Sequence, residues 1–288
     1  MTSTVGNEEQ QRFWNDVVGP LWVTWEEENE CHTGPFGEAA LAVAGAQPGQ
    51  LVLDVGCGCG STSVALAAAV GPAGEVLGID LSAVMLERAR RRAVEAGAGQ
   101  VTFRQEDAQG ADLGADRFDL VFSRFGVMFF AEPVSAFANL RRALRREGRL
   151  VFVCWQPPSA NPWMAVANRA AAGLFGLTPP PHDAPGPFSL ADPERIVSIL
   201  DSAAYRDVQI AEHHHTLHLA AGRTIEDWAH QRLLMGPARQ PYLAGNPEGQ
   251  HRARQTLVEA LTPYQVDPDD PSSGLHMDGA AFVVSARR

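Results

Sequence analysis

Lysine is missing from this chain: all 23 basic residues are arginine. That absence excludes Schiff-base chemistry, which needs a lysine amine. Set beside abundant Ala, Gly and Pro, it also points to a GC-rich bacterial genome. Cysteine is scarce, four in 288 residues, too few for a disulfide framework. Cys57 and Cys59 form a C-x-C pair, but no second close Cys/His pair accompanies it, so no metal is expected. No apolar run approaches the ~20 residues of a membrane span. The first residues, MTSTVGNEEQ, show no signal-peptide pattern, and a cytoplasmic location is expected. Basic charge is short as well: 34 acidic residues leave a net charge of −11. That balance argues against nucleic acid or an anionic membrane as the main partner.

What is present is organised around LVLDVGCGCG, residues 51–60. Leu51, Val52, Leu53 and Val55 read as a buried parallel strand, being too short an apolar run for a buried helix. Gly56, Gly58 and Gly60 follow, and then an apolar helix from Ser61 to Val70, with Ser61 or Thr62 as its cap. Strand, glycine turn and helix bring backbone close to a ligand. A dinucleotide loop wants G-x-G-x-x-G/A. Here the spacing is D-x-G-x-G-x-G, and Asp54 before the loop suits a ligand bearing an ammonium group.

Later segments repeat the strand–helix alternation. Glu75–Asp80, Val101–Asp107, Phe118–Ser123 and Gly148–Trp155 read as strands, with a Ser82-capped helix and a helix at Val134–Arg145 between them. Such alternation predicts an α/β fold, doubly wound and mostly parallel. Ligands bind at the carboxyl ends of such strands, where Asp54, Asp80, Asp107 and Ser123 fall. Two late strands, Asp207–Leu219 and Ala280–Ala286, can close the sheet as a hairpin, giving seven strands with the last one antiparallel.

The expected organisation is an N-terminal helical lid over 1–35 and a ligand-binding core over 36–156. A proline-bracketed cap insertion follows at 157–190, then a core helix and the sixth strand at 191–219. A second helical cap insertion spans 220–276 and the final strand 277–288. Trp14, Trp22 and Trp25 make the lid aromatic, and the i, i+3 spacing of the last two puts them on one helix face. They either pack on the core or cover a substrate pocket, with Gly19–Pro20 and Gly34–Pro35 as hinges.

The stretch Asp54–Gly60, the acids Asp80 and Asp107, and the segment SRFGVMFFAEP from Ser123 to Pro133 carry a family likeness. Over residues 36–156 the chain resembles the class I S-adenosylmethionine-dependent methyltransferases. Within them it is most similar to the ubiquinone/menaquinone-biosynthesis type and its relatives in bacterial natural-product pathways. The resemblance implies S-adenosylmethionine as cofactor. Gly56, Cys57, Gly58 and Gly60 would cradle its methionine end, with Asp54 near the amino group. Asp80 would hold the ribose hydroxyls, Leu81 and Met85 would face the adenine, and Asp107 with Ala108 would meet the adenine edge. Ser123 and Arg124 would flank the methionine moiety, although Arg124 reads equally as a substrate anchor or a structural ion-pair partner.

Methyl transfer needs an aligned, water-free pair of reactants and a deprotonated acceptor. The candidate bases are His214, on a strand with His213, His215 and His218, and His32 after the lid tryptophans. Phe125 and Met128 are candidates for the substrate pocket, or else core. The expected activity is methyl transfer to a small molecule. The alternatives are a non-methylating reaction on the same fold, such as cyclisation, and a non-catalytic partner protein. After the fourth strand the chain reads Ser-Arg-Phe-Gly rather than the N/D-P-P-Y/F of amino-directed nucleic-acid enzymes. The sequence leaves the oligomeric state open, a homodimer included.

Overall fold

The computed structural model describes residues 7–270 and 272–288. The first six residues of the expected lid segment, and of the stretch read for a signal peptide, lie outside the described residues.

The N-terminal part is helical: α1 (Glu8–Arg12), a π-helical turn (Phe13–Val17), α2 (Val18–Thr24) and α3 (Glu26–Ala44). There follow β1 (Leu51–Val55), α4 (Ser61–Val70), β2 (Glu75–Asp80), α5 (Ala83–Glu95), β3 (Val101–Gln105) and β4 (Phe118–Arg124). Next come α6 (Pro133–Ala143), β5 (Leu144–Trp155), α7 (Pro162–Phe175), α8 (Pro193–Ser202) and β6 (Arg206–Leu219). The chain continues through α9 (Ile225–Met235), α10 (Arg239–Ala244), α11 (Pro247–Leu261) and β7 (Leu275–Arg287).

One seven-stranded sheet organises these elements, in the order β3-β2-β1-β4-β5-β7-β6. β1 to β5 pair in parallel, while β7 runs antiparallel between β5 and β6. The order reverses between β1 and β4, so the carboxyl ends of these two strands open a crevice. The central strands β1 and β4 are buried on both faces, which is why they are mostly apolar rather than alternating. Helix α6 packs on β5 and on α8, whereas α3 crosses β5, β6 and β7. Helices α7, α9, α10 and α11, which fall in the two segments expected as caps, pack on one another.

The expected seven-stranded architecture is observed, with some boundaries moved. β3 ends at Gln105, so Asp107 stands in the following loop. α3 runs straight through the expected lid–core boundary at residue 35, with Pro35 inside the helix. Gly19 and Pro20 likewise lie within α2. Both expected hinges are therefore helical: Pro20 lies in the first turn of α2, and Pro35 lies within α3, which is packed on the sheet. The break in this segment falls instead at Trp25, between α2 and α3. Among the described residues no helix is long and apolar enough to cross a membrane.

Candidate functional site

Gly56, Gly58 and Gly60 adopt positive φ, at 65°, 55° and 81°. A Cβ on Gly56 would fall 2.8 Å from Gly126 Cα, and one on Gly60 would fall 2.8 Å from Ala89 Cβ. The loop thus needs glycine both for its dihedrals and for the close approach of β4 and α5. Cys57 is buried in this turn, and burial beside Asp80 and Asp54 pushes its thiol up. Met85, also buried, sits beneath Gly58.

Asp54 lies under the loop with no exposed surface. Its Oδ2 accepts from Thr62 Oγ1 at 2.7 Å and from Ser63 Oγ at 2.6 Å. Those hydroxyls reach back to Asp54 instead of capping α4, so the expected Ser61 or Thr62 cap does not form and Gly60 occupies that position. Asp54 Oδ1 is buried without any partner. Burial pushes the carboxyl up to about 6, against the pull of the Ser63 and Thr62 hydroxyls. A half-satisfied carboxylate in such a place favours a cationic group close by.

Asp80 stands half-buried at the end of β2. Its Oδ2 accepts from the Gly58 N–H and its Oδ1 from the Ser82 N–H, both at 2.8 Å. Burial raises its carboxyl, with the Ser82, Gly58 and Leu81 N–H groups pulling the other way. Each oxygen keeps a second lone pair with which to accept a hydroxyl. Asp107 Oδ1 accepts from the Gln109 N–H at 3.0 Å, and Ala108 is buried beside it.

Several expected site residues stand elsewhere. Ser123 is fully buried and donates to the Val55 carbonyl at 2.7 Å, because β4 turns that side chain into its junction with β1. Arg124 forms a fork with Glu30, at 2.6 and 2.9 Å, and also donates to Ser61 Oγ at 2.7 Å. Of the two readings of Arg124, the structure holds the ion pair. Gly37 leaves room for it, since a Cβ there would sit 2.7 Å from Arg124 Cδ. Met128 is core, and its carbonyl accepts from Gly186 and Ser189. Phe125 stacks on Trp155 with ring centroids 4.0 Å apart and holds a φ of 61°, which non-glycine residues seldom adopt.

His214 lies on the outer face of β6, where its one partner among the described residues is Glu212 Oε2 at 3.2 Å. The expected base therefore points away from the crevice, because period-two alternation turns His213 and His215, not His214, toward Phe36 of α3. His32 is buried on α3 with Nε2 unpartnered, 5.6 Å from the Trp163 ring. Burial and the Arg232 charge pull its proton affinity down to about 3.

The N-terminal helices lie across the crevice. Asn15 donates to the Leu81 carbonyl at 2.8 Å and accepts from the Ala83 N–H at 2.9 Å, clamping the segment to the β2–α5 turn. Trp14 meets Trp22 and Phe129 edge-on, at 6.1 and 5.0 Å. Trp22 and Trp25 do not share a helix face, since the helix breaks at Trp25. Glu26 pairs with Arg88 and Arg92 of α5, and Glu30 with Arg124, so α3 bridges the glycine loop. Sequence reasoning alone makes the Glu26–Glu28 run a solvated face and gives no role to Asn15 or Glu30.

Residues 52–148 match the family described as Methyltransferase domain. Over 196 residues the chain is 30% identical to the nocamycin O-methyltransferase of Saccharothrix syringae, covering 65% of this chain and 69% of that one. Over 118 residues it is 35% identical to the aklanonic acid methyltransferase DauC of Streptomyces sp. (strain C5), covering 41% and 54%. The chain thus spans about half the length of one curated relative and about two thirds of the other. The crystal structure of the YcgJ protein of Bacillus subtilis superposes with a TM-score of 0.57 at 17% identity, over 88% of this chain and 97% of that one. That likeness shows the shared fold.

Proposed function

Because the chain belongs to the S-adenosylmethionine-dependent methyltransferases, we propose that it methylates a small-molecule acceptor in a bacterial natural-product pathway of the cytoplasm. S-adenosylmethionine supplies a methyl group already activated on a sulfonium sulfur. What remains for the protein is to bind, orient and dry the two reactants.

The observation that carries the reading is the orphaned Asp54 Oδ1 beneath the three-glycine turn, with Asp80 at its rim. The cofactor's ammonium answers the charge of Asp54, and its ribose hydroxyls suit the open lone pairs of Asp80. Leu81 and Met85 offer an apolar wall to the adenine, and Asp107 with Ala108 offers polar partners for the adenine edge. Trp14 and Trp22, held down by Asn15, would keep water from the sulfonium, and an aromatic face also favours its positive charge. The excess of acidic over basic residues favours a small molecule over nucleic acid as acceptor.

Calorimetric titration tests the cofactor: S-adenosylmethionine should bind and NAD should not. Incubation with candidate acceptors should then release S-adenosylhomocysteine. Binding of NAD in preference overturns the reading, and consumption of an acceptor without S-adenosylhomocysteine makes the enzyme a non-methylating relative.

A further inference from the structure

Four buried polar atoms without partners cluster on the cap side of α3: Glu28 Oε1, His32 Nε2, Trp228 Nε1 and Arg232 Nε. Glu28 and His32 lie one helical turn apart on α3, facing away from the Glu26 and Glu30 that bridge to the core. Arg232, on α9, holds its guanidinium carbon 5.2 Å from the Trp228 ring centroid. The charge of Arg232 acts on His32, and that of Glu28 acts on Arg232, so the four groups share one neighbourhood. Buried polar atoms in folded proteins are nearly always paired, and several orphans together ask for a ligand.

The charges indicate which kind. Glu28 spends its Oε2 on Arg223, which also donates to Gln231 Oε1 at 3.0 Å. Arg232 is left with a thioether, Met235 Sδ at 3.2 Å, and pairs with no carboxylate among the described residues. Burial pulls Arg232 down to about 10, which still leaves it cationic near neutral pH. One carboxylate, Glu28, thus stands beside two arginines, and the surplus positive charge favours an anion.

The path to the glycine loop is aromatic. His32 faces Trp163 at 5.6 Å, Trp163 meets Trp155 at 5.3 Å, and Trp155 stacks on Phe125 at 4.0 Å. Phe125 precedes Gly126, against which Gly56 is packed. A flat apolar body suits such a wall.

We propose that this cluster is the acceptor's anchoring subsite and takes an aromatic anion, its charged oxygen paired with Arg232 and hydrogen-bonded by Trp228 Nε1 and His32 Nε2. Glu28 Oε1 is then free to accept from a hydroxyl on the same molecule. Neither candidate histidine is suited to removing a proton from the acceptor, since His214 is outside and His32 holds a proton too weakly. The oxygen held at Arg232 is the anchor and not the atom methylated, so it needs no base there. The acceptor's role rests on the methyl-transfer reading; the binding of the anion does not.

The test uses 2-naphthoate and its neutral partner 2-naphthamide, titrated into the full chain saturated with S-adenosylhomocysteine. Naphthoate should bind at least tenfold tighter, and Arg232→Met should abolish that preference while the affinity for S-adenosylhomocysteine holds. Should Arg232→Met fail to fold, the His32 ring resonances of the unaltered protein serve instead: they should shift with naphthoate and stay still with naphthamide. Equal or absent binding of the two probes, a preference that survives Arg232→Met, or an unmoved His32 overturns the proposal. Failure to bind S-adenosylhomocysteine would strike the methyl-transfer reading alone, since both probes can also be titrated into the unliganded protein.

Discussion

Asp54 carries two loads at once, and the pH dependence of each has its own sign. Its folded-state carboxyl is raised to about 6 from an ordinary 3.8. The folded protein therefore holds this proton more tightly than the unfolded chain does. The contribution of Asp54 to stability is greatest below the unfolded value and is lost as pH rises through about 6. Cofactor binding runs the other way, because an ammonium beside Oδ1 favours the carboxylate. Affinity for S-adenosylmethionine should be flat above about pH 7, fall about twofold at pH 6 and about tenfold by pH 5, roughly one pKa unit lower. Titration calorimetry across pH 5–8 checks this, and a profile that is level throughout would place the ammonium elsewhere. Asp80 gives a sharper contrast. Asp80→Ala would remove the two charge-assisted hydrogen bonds proposed to the ribose, each worth roughly 1.5–3 kcal/mol, so cofactor affinity should drop at least about tenfold. Since Asp80 also holds the Gly58 and Ser82 N–H groups, its loss should loosen the loop without unfolding the sheet. An unchanged dissociation constant would show that the ribose is held by other groups.

Among the elements, α1, the π-helical turn and α2 are held over the crevice by α5, by Asn15 and by the contact of Trp14 with Phe129. Asn15 is the clamp, using one amide side chain to mimic a backbone partner for both Leu81 and Ala83. Asn15→Ala removes both bonds, each worth about 1 kcal/mol. Hydrogen exchange of residues 8–24 should then quicken in the variant, and S-adenosylhomocysteine should slow it again in both proteins. Exchange indifferent to the substitution and to the ligand would make this segment core. Such a clamp is not legible in the sequence, because a lone Asn in a helical stretch has no spacing that names a partner so distant along the chain. The strands are legible for the opposite reason. Leu51–Val55 and Phe118–Ser123 are mostly apolar, as doubly covered strands are, with only Asp54, Asp119 and Ser123 interrupting them, and a glycine follows each strand. The tryptophan spacing misleads because i, i+3 logic assumes an unbroken helix, and the chain turns at Trp25. The histidine run misleads in a related way: alternation fixes which histidines share a face, but only tertiary packing decides which face meets α3. Ser123 falls at a strand's carboxyl end as expected, yet the parity of the strand points it inward.

At the scale of the whole molecule the question is whether cap, lid and sheet melt as one. The cap helices leave the sheet after β5 and β6 and return to it through α8 and β7, so every cap segment is tethered at both ends to the sheet. Helix α3 ties the same parts laterally, touching β5, β6 and β7 while its acids reach α5 and Arg124. The six tryptophans report on these parts unequally. Trp14, Trp22, Trp25, Trp163 and Trp228 lie in lid and cap, and only Trp155 belongs to the sheet. Tryptophan fluorescence thus follows the cover, whereas far-ultraviolet circular dichroism follows all the helices and strands. Strong coupling predicts coincident thermal transitions by both probes, as in a two-state domain. S-adenosylhomocysteine binds the folded state alone, and at about a hundredfold excess over its dissociation constant it adds about 2.7 kcal/mol. For a domain of this size that raises the midpoint by several degrees. Both probes should shift together and by the same amount, although the residues proposed to hold the ligand, Asp54 and Asp80, belong to the sheet side of the crevice. A fluorescence transition that comes first, and that ignores the ligand, would mean that lid and cap are held by their own packing alone. The acceptor site between them would then open independently of the cofactor below.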